Sequence, residues 1–332
     1  MRTSTKRIAS FALASLIGLT LASCSSDKST DTTAAETAAA ETVADTAAAE
    51  TVAASATDTA GAETTAAAGT DSTAAALAAP AAAECAAGKT ISSGTLTIAT
   101  GEPAFPPYVV NDKTPEDGQG LEAGVAMAVA RELGFAPAAV KWVRTPFDAA
   151  IAPGPKDFDF NLQQYTITDE RKKVVDFSDD YYTAAQAAFG LADGAGASVK
   201  TIADLQKLKI GVAAGTTSVT YVEETIKPTS AAQVFNDNAA AKLALESKQV
   251  DAIVADLPTA LYITNVEIPG TKVFGQIEGS GTDKFGLLLA KGNPLTVCVN
   301  QALATIKASG ELTKIQTKWM SEFTSAPMIT AG

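Results

Sequence analysis

Between residues 165 and 182 the chain reads YTITDERKKVVDFSDDYY, and its residue types are those that hold a carboxylate. Arg171 carries a planar guanidinium whose parallel N–H groups match the two oxygens of a carboxylate, a match that a lysine ammonium cannot make. Thr166 and Thr168 add short hydroxyls, and a turn into a helical segment leaves main-chain N–H groups free. A second anion seat is expected at Gly215-Thr216-Thr217. That turn follows the apolar run KIGVAA and opens a helical pattern, where unpaired N–H groups and the helix dipole favour negative charge. A simple N-cap is the plainer role for the same residues.

The elements that must position these groups alternate along the chain. Strand-like runs are LTIAT (96–100), VKWVRT (140–145), FDFNL (158–162), KIGVAA (209–214), QVFND (233–237), DAIVAD (251–256) and FGLLLAK (285–291). Helical patterns lie at 122–134, after Gly215, at 238–250, and in two C-terminal stretches that begin at Pro294 and Glu311. Strands alternating with helices of 10 to 15 residues predict parallel sheets of the α/β class. Two such units are expected, with the chain crossing twice between them and the last segment returning to the first. Ligands in open α/β sheets bind beyond the carboxyl ends of strands. The candidate groups Glu102, Gln164 to Arg171, Gly215 to Thr217 and Asp256 all follow strand-like runs.

The N-terminal quarter is of another kind. Arg2, Lys6 and Arg7 precede a short apolar stretch that ends Leu-Ala-Ser-Cys at Cys24, which predicts a secretory signal over 1–23. The ending resembles the lipobox of bacterial lipoproteins, which implies lipidation of Cys24 and a membrane anchor that does not span the bilayer. Residues 24–84 hold ten acidic residues against one lysine, and the unit TAAAETVA occurs twice, from Thr37 and from Thr46. Alanine is nearly the only apolar residue there, so stacked repeats would bury too little area to offset chain entropy, and a disordered tether is expected. Most of the net charge of −12 belongs to this tether. With Cys24 lipidated, Cys85 and Cys298 have only each other in an oxidising location; two separately buried thiols are the alternative. A bridge between them would close a loop of more than 200 residues, worth about 4–5 kcal/mol in chain-entropy models.

The segments GTLTIATGEPAFPPY, TITDERKKVVDFSDDYY, DLQKLKIGVAAGTTSVTY, VFNDNAAAKLALESKQVDAIVADLPTA and FGLLLAKGN occur in that order over residues 94 to 320. In this order the chain resembles the family 3 extracellular solute-binding proteins, the polar amino-acid group with the type II periplasmic-binding-protein fold. The resemblance implies a two-lobed α/β molecule, each lobe a sheet flanked by helices, joined by a two-strand hinge. The boundaries expected are 85–186 for lobe 1, 187–285 for lobe 2, and 286–332 for the return to lobe 1 with the C-terminal helices. It further implies that Arg171 and Thr166 grip the ligand α-carboxylate with Gln164 nearby, that Gly215, Thr216 and Thr217 contact the same carboxylate from lobe 2, and that Asp256 receives the α-ammonium. A cap on the segment at Leu257-Pro258 is the alternative for Asp256, and a turn cap for Thr166. Phe105 and Tyr108 would pack on the ligand side chain, or serve as loop core, and Glu102 would read its polar or cationic end. Departures from the family pattern fall at Gly124, at Tyr165 before the TIT, and at Asn161, Gln163 and Gln164, which are expected to crowd the pocket edge.

The function implied is capture of a small polar amino acid by hinge closure and its delivery to the transmembrane subunits of an ABC permease, by a monomer on the outer face of the cytoplasmic membrane. No cofactor, metal or nucleic-acid partner is expected, and no enzymatic activity. Alternatives are a dehydratase of amino-acid-like substrates and a ligand-sensing ectodomain. The chain has no histidine, which removes the commonest general base.

Overall fold

The computed structural model describes residues 81–332; the expected signal, Cys24 and most of the expected tether lie outside the described residues. Helix α1 (Ala81–Ala86) leads to β1 (Leu96–Thr100), whose five residues are all buried. Next come α2 (Leu121–Glu132), β2 (Val140–Arg144), α3 (Phe147–Ile151) and β3 (Phe160–Asn161). The short α4 (Asp169–Lys172) starts where the Thr168 hydroxyl accepts the Arg171 N–H. Strands β4 (Val175–Ala184) and β5 (Gln186–Leu191) follow with one residue between them. The chain continues through α5 (Ile202–Leu205), β6 (Ile210–Ala213), α6 (Thr217–Tyr221), β7 (Gln233–Phe235), α7 (Asn238–Glu246), β8 (Ala252–Asp256) and α8 (Leu257–Tyr262). It ends with β9 (Thr271–Ile277), β10 (Asp283–Ala290), α9 (Leu295–Ala308), α10 (Glu311–Met320) and β11 (Met328–Ile329).

Two sheets organise these elements. A five-stranded sheet has the order β2-β1-β3-β10-β4, and a six-stranded sheet the order β11-β9-β5-β8-β6-β7. Side-chain alternation along central strands divides the second core between two faces. Ala187, Phe189, Ile253 and Ala255 pack on one side of that sheet, and Ala188, Ala252 and Val254 on the other.

The expectation of parallel sheets holds for β1, β2 and β3 and for β6, β7 and β8. It fails at the hinge, where β10 runs antiparallel to β3 and β4, and β5 antiparallel to β8 and β9. The sheets are mixed because each crossing between lobes is a strand that leaves one sheet and enters the other. Strands β4, β5 and β9 escape the sequence pattern. In β4 the run VDFSDDYYTA mixes acids with aromatics and is held as strand by its pairing with β10.

Two expected boundaries also shift. Ala81 to Glu84, assigned to the tether, are helical, with Ala82 and Ala86 buried in the lobe 1 core. The Cys85–Cys298 disulfide joins this helix to α9 across a sequence separation of 213 residues. The last segment does not stay on lobe 1. Strand β11 adds to the edge of the second sheet, where the Gln276 N–H donates to Pro327 O (2.8 Å) and the Glu278 N–H to Ile329 O (3.0 Å). An edge strand such as β9 carries a row of main-chain groups that require partners, and the returning C-terminus supplies them. The chain therefore crosses between the lobes three times rather than twice.

Candidate ligand-binding site

Turns that follow strand ends in both sheets converge on one cavity of about 450 Å³, a volume suited to a small ligand. Lobe 1 supplies Glu102 and Phe105 after β1, Phe147 and Asp148 after β2, Gln163, Gln164 and Thr166 after β3, and Arg171 from α4. Lobe 2 supplies Ala214, Thr216 and Thr217 after β6, Asn236 to Asn238 after β7, and Asp256 and Thr259 at the end of β8. A groove of about 670 Å³ between α2 and α10 is larger, but lobe 1 alone forms it and its Arg131 and Glu311 are paired with each other.

Arg171 is 8 % exposed and is the cation among the lining residues. Its Nη1 donates to the Thr166 carbonyl (2.7 Å), its Nη2 donates across the cleft to the Gly215 carbonyl (2.8 Å), and the guanidinium lies 5.4 Å from the Phe147 ring centroid. Burial lowers its pKa, while the surrounding tyrosine and aspartates oppose that shift. A guanidinium remains charged under these conditions.

Opposite it, Asp256 sits in a cluster of hydrogen-bonding groups. Gln186 Nε2 donates to Asp256 Oδ1 and to Asp283 Oδ2, each at 2.7 Å, while Ser218 Oγ donates to Gln186 Oε1 at 2.7 Å. Thr217 Oγ1 also donates to Asp283, at 3.1 Å. Burial first, and then the neighbouring Asp283 carboxylate, push the Asp256 carboxyl up to about 8. Asp256 makes no capping bond to α8, so its carboxylate is committed to the cleft and not to the helix start.

Gly215 belongs to the site through its backbone. Its φ of +69° favours glycine, its carbonyl takes the Arg171 bond, and an added Cβ would collide with the Asp148 carboxylate of lobe 1. Thr216 lines the cavity but makes no side-chain cap; its hydroxyl donates to the Ala213 carbonyl at 2.7 Å. Thr166 lines the cavity as expected, and the capping role falls to Thr168. Glu102 and Phe105 line it too, and Lys242 of lobe 2 stands 5.8 Å from the Phe105 ring centroid.

Three expected residues are not at the cavity wall: Gly215, which adjoins it only through the carbonyl bonded to Arg171, and Tyr165 and Tyr108. Tyr165 is fully buried, stacked on Phe147 with centroids 4.7 Å apart, in a lobe 1 cluster with Phe158 and Val175. Gln163, Gln164 and Thr166 line the cleft while Tyr165 between them turns into the core; the positive φ of Gln164 (+52°) breaks the regular alternation of the chain here. Tyr108 is core as well, packed edge-on to Phe285, although its hydroxyl reaches Thr259 of lobe 2 at 3.1 Å. Asn161, expected at the pocket edge, is buried and donates to Thr145 Oγ1.

Glu122 is a participant that sequence reasoning passed over. It is 1 % exposed, touches the cavity, and accepts from the Gln164 N–H (2.6 Å), from Gln164 Nε2 (2.6 Å) and from the Tyr181 hydroxyl. An acid at the start of the otherwise apolar run LEAGVAMAVA was the available signal. Asp148, Gln186 and Asp283 were also missed. Their partners lie far away in sequence.

The pattern of the bacterial extracellular solute-binding proteins, family 3, matches residues 96–322. The chain belongs to this family. It is 32 % identical over 237 residues to the L-arginine-binding protein of Pseudomonas aeruginosa, which covers 66 % of this chain and 86 % of the relative. It is 30 % identical over 235 residues to the L-cystine-binding protein TcyJ of Escherichia coli K12, covering 70 % and 84 % respectively. Among solved structures, an ancestral arginine-binding protein bound to glutamine superposes with a TM-score of 0.59 at 34 % identity, covering 69 % of this chain and 98 % of that one. These relatives are binding proteins for amino acids. The two-lobed fold of this family 3 member is thus the fold of its solved relatives.

Proposed function

We propose that the protein captures one free amino acid between its lobes and hands it to the transmembrane subunits of an ABC importer. The observation that carries this reading is the pairing of Arg171 and Asp256. Each lies on a different lobe, and both line the same cavity. A guanidinium suits the α-carboxylate and a carboxylate suits the α-ammonium, so a zwitterion spanning the two favours closure. Binding then shifts the hinge equilibrium by the difference in affinity between open and closed forms. Thr166 would support the carboxylate end from lobe 1, and Gly215, Thr216 and Thr217 from lobe 2, while Gln164 faces the cleft beside them with its donors held by Glu122.

The cavity charge supports a basic or polar side chain over an acidic one. Against Arg171 stand Glu102, Glu122, Asp148, Asp237 and Asp256, of which Asp237 caps α7 and Glu122 is bonded to Gln164 and Tyr181. Phe105 and Glu102 are the groups beside which the ligand side chain would lie. Turnover of the ligand is not part of the reading.

Titration calorimetry with the twenty amino acids is the direct test. We expect arginine or lysine to bind at about micromolar Kd or tighter, roughly 8 kcal/mol, and glutamate and aspartate to bind much more weakly. Absence of heat with every amino acid would overturn the reading. Lipidation at Cys24 is a separate part of the proposal. It is checked by fractionation: Cys24→Ser should release the protein from the membrane, and retention there would refute the anchor.

A further inference from the structure

Glu122 holds a single residue of the cleft by both its main chain and its side chain. Oε1 accepts the Gln164 N–H at 2.6 Å and the Tyr181 hydroxyl, and Oε2 accepts Gln164 Nε2 at 2.6 Å. Gln164 has φ +52°, a region in which non-glycine residues are uncommon and require support from their surroundings. We propose that Glu122 is a positioning residue that locks the Gln164 amide with its oxygens free for the cleft, and so selects ligands whose side chains end in N–H donors. The proposal rests on the amino-acid-binding reading and adds to it the device that sets selectivity.

Donors and acceptors decide the orientation of the Gln164 amide. A glutamine amide has an acceptor end and a donor end, and alone it can turn either way. An ionised carboxylate only accepts, so beside it Gln164 must present its NH2 to Glu122. Its Oε1 and its main-chain oxygen have no partner among the described residues, and Gln164 lines the cavity. A guanidinium or ammonium can bond such oxygens; a carboxylate is repelled by them. A protonated Glu122 removes the constraint, since a carboxylic acid can donate to the amide oxygen and let the NH2 turn outward.

Other titratable groups within electrostatic reach of Glu122 are Tyr181 on β4, Tyr108 after β1, Tyr165 after β3 and Asp256 at the end of β8. No lysine or arginine is bonded to it among the described residues. Burial outweighs the donors and raises the Glu122 carboxyl to about 7, so the lock is sensitive near neutral pH.

Two measurements on the full chain test this. In NMR spectra of the wild type, the Gln164 side-chain amide and the Glu122 carboxyl resonance should titrate with one midpoint near 7. A Gln164 amide signal that is unchanged while Glu122 titrates would overturn the lock. In calorimetry at pH 8.5, Glu122→Gln mimics the protonated acid; the preference for L-arginine over L-glutamate should fall about tenfold or more. The double variant Glu122→Gln/Gln164→Glu restores an outward acceptor and should recover the preference. An unchanged preference in Glu122→Gln, or no recovery in a folded double variant, refutes the selectivity role. If no amino acid binds the wild type, the amino-acid reading falls, and the NMR titration still decides whether Glu122 positions Gln164.

Discussion

A buried arginine with its main-chain partners in place is ready for an anion, and removing it is costly. Arg171→Ala should weaken amino-acid binding by about 2–5 kcal/mol in calorimetry, because the ligand carboxylate loses its charged partner in a desolvated cleft. Asp256 makes a pH-dependent prediction. Its carboxyl is held at about 8, and an ammonium beside it favours the ionised form, so binding at pH 6–7 releases a proton. Affinity should rise with pH toward 8 by up to about tenfold per unit and flatten above it. Calorimetry in buffers of different ionisation enthalpy would report the released proton, and Asp256→Asn should abolish the Asp256 share of that release. The same group affects folding in a definite direction. The unfolded aspartate ionises near pH 4 and the folded one near 8, so between these values the folded state keeps a proton that the unfolded state has lost. Stability of the unliganded protein should therefore decline from about pH 4 to pH 8, with no further loss from this group above that. A denaturant midpoint rising over the same range would contradict the burial of Asp256. Of these residues, Arg171, Thr166 and Asp256 were legible because a charged or hydroxyl side chain directly after a strand-like run has few structural uses. Tyr165 and Tyr108 misled because an aromatic beside a site has the same composition whether it faces ligand or core.

At the scale of elements, the turn between β6 and α6 is the contact on which closure depends. Gly215→Ala forces a positive φ on a residue with a Cβ and drives that Cβ into the Asp148 carboxylate of the other lobe. We expect this variant to lose about 1–3 kcal/mol of stability from the positive φ and to bind ligand at least about tenfold more weakly, because the clash with Asp148 acts when the two lobes meet. Full affinity in Gly215→Ala would show that the turn is not gripped on closure. Helix α1 is held differently. Six residues are too few to be stable alone, and Ala82 and Ala86 contribute small side chains to the core. The disulfide to α9 offsets this weakness. Reducing it, or replacing both Cys85 and Cys298 by serine, should cost on the order of 5 kcal/mol by the chain-entropy model, read as a lower urea midpoint. Periodicity exposed α2, α7, α9 and α10, since each turns an apolar stripe to the core of its lobe. It did not expose β4 or β9, whose strand state depends on partners that no local window contains.

The whole molecule is two lobes joined by three crossings, and under the proposed function its balance between open and closed forms is the quantity a ligand would change. Gln186 is the central hinge residue. Its N–H donates to Ser280 Oγ at 2.9 Å and its side chain bridges Asp256 and Asp283, so both hinge strands and the cleft carboxyl of Asp256 share one fully buried amide. The third crossing, through β11, ties the C-terminus to the second sheet. Truncation after Ala326 should leave the site residues in place but expose the β9 edge. Small-angle scattering should then report a wider spread of interlobe distances without ligand, and a spread equal to the wild type's would assign β11 to edge protection alone.

The α/β class, two repeated units, the position of Arg171 and Asp256 at strand ends facing one cleft and the disulfide pair were all legible in the sequence, some from local chemistry and some from the order of segments. Such features are written in short windows: a strand followed by a charged turn, or a helix with one apolar face. Tertiary structure alone decided which side of the chain faces the cleft, which strands run antiparallel, where the C-terminus ends, and that Glu122, Asp148, Gln186 and Asp283 belong to the site. Each of those depends on residues that lie tens to hundreds of positions apart. A carboxylate acquires its pKa, its partners and its meaning from neighbours that only folding brings to it.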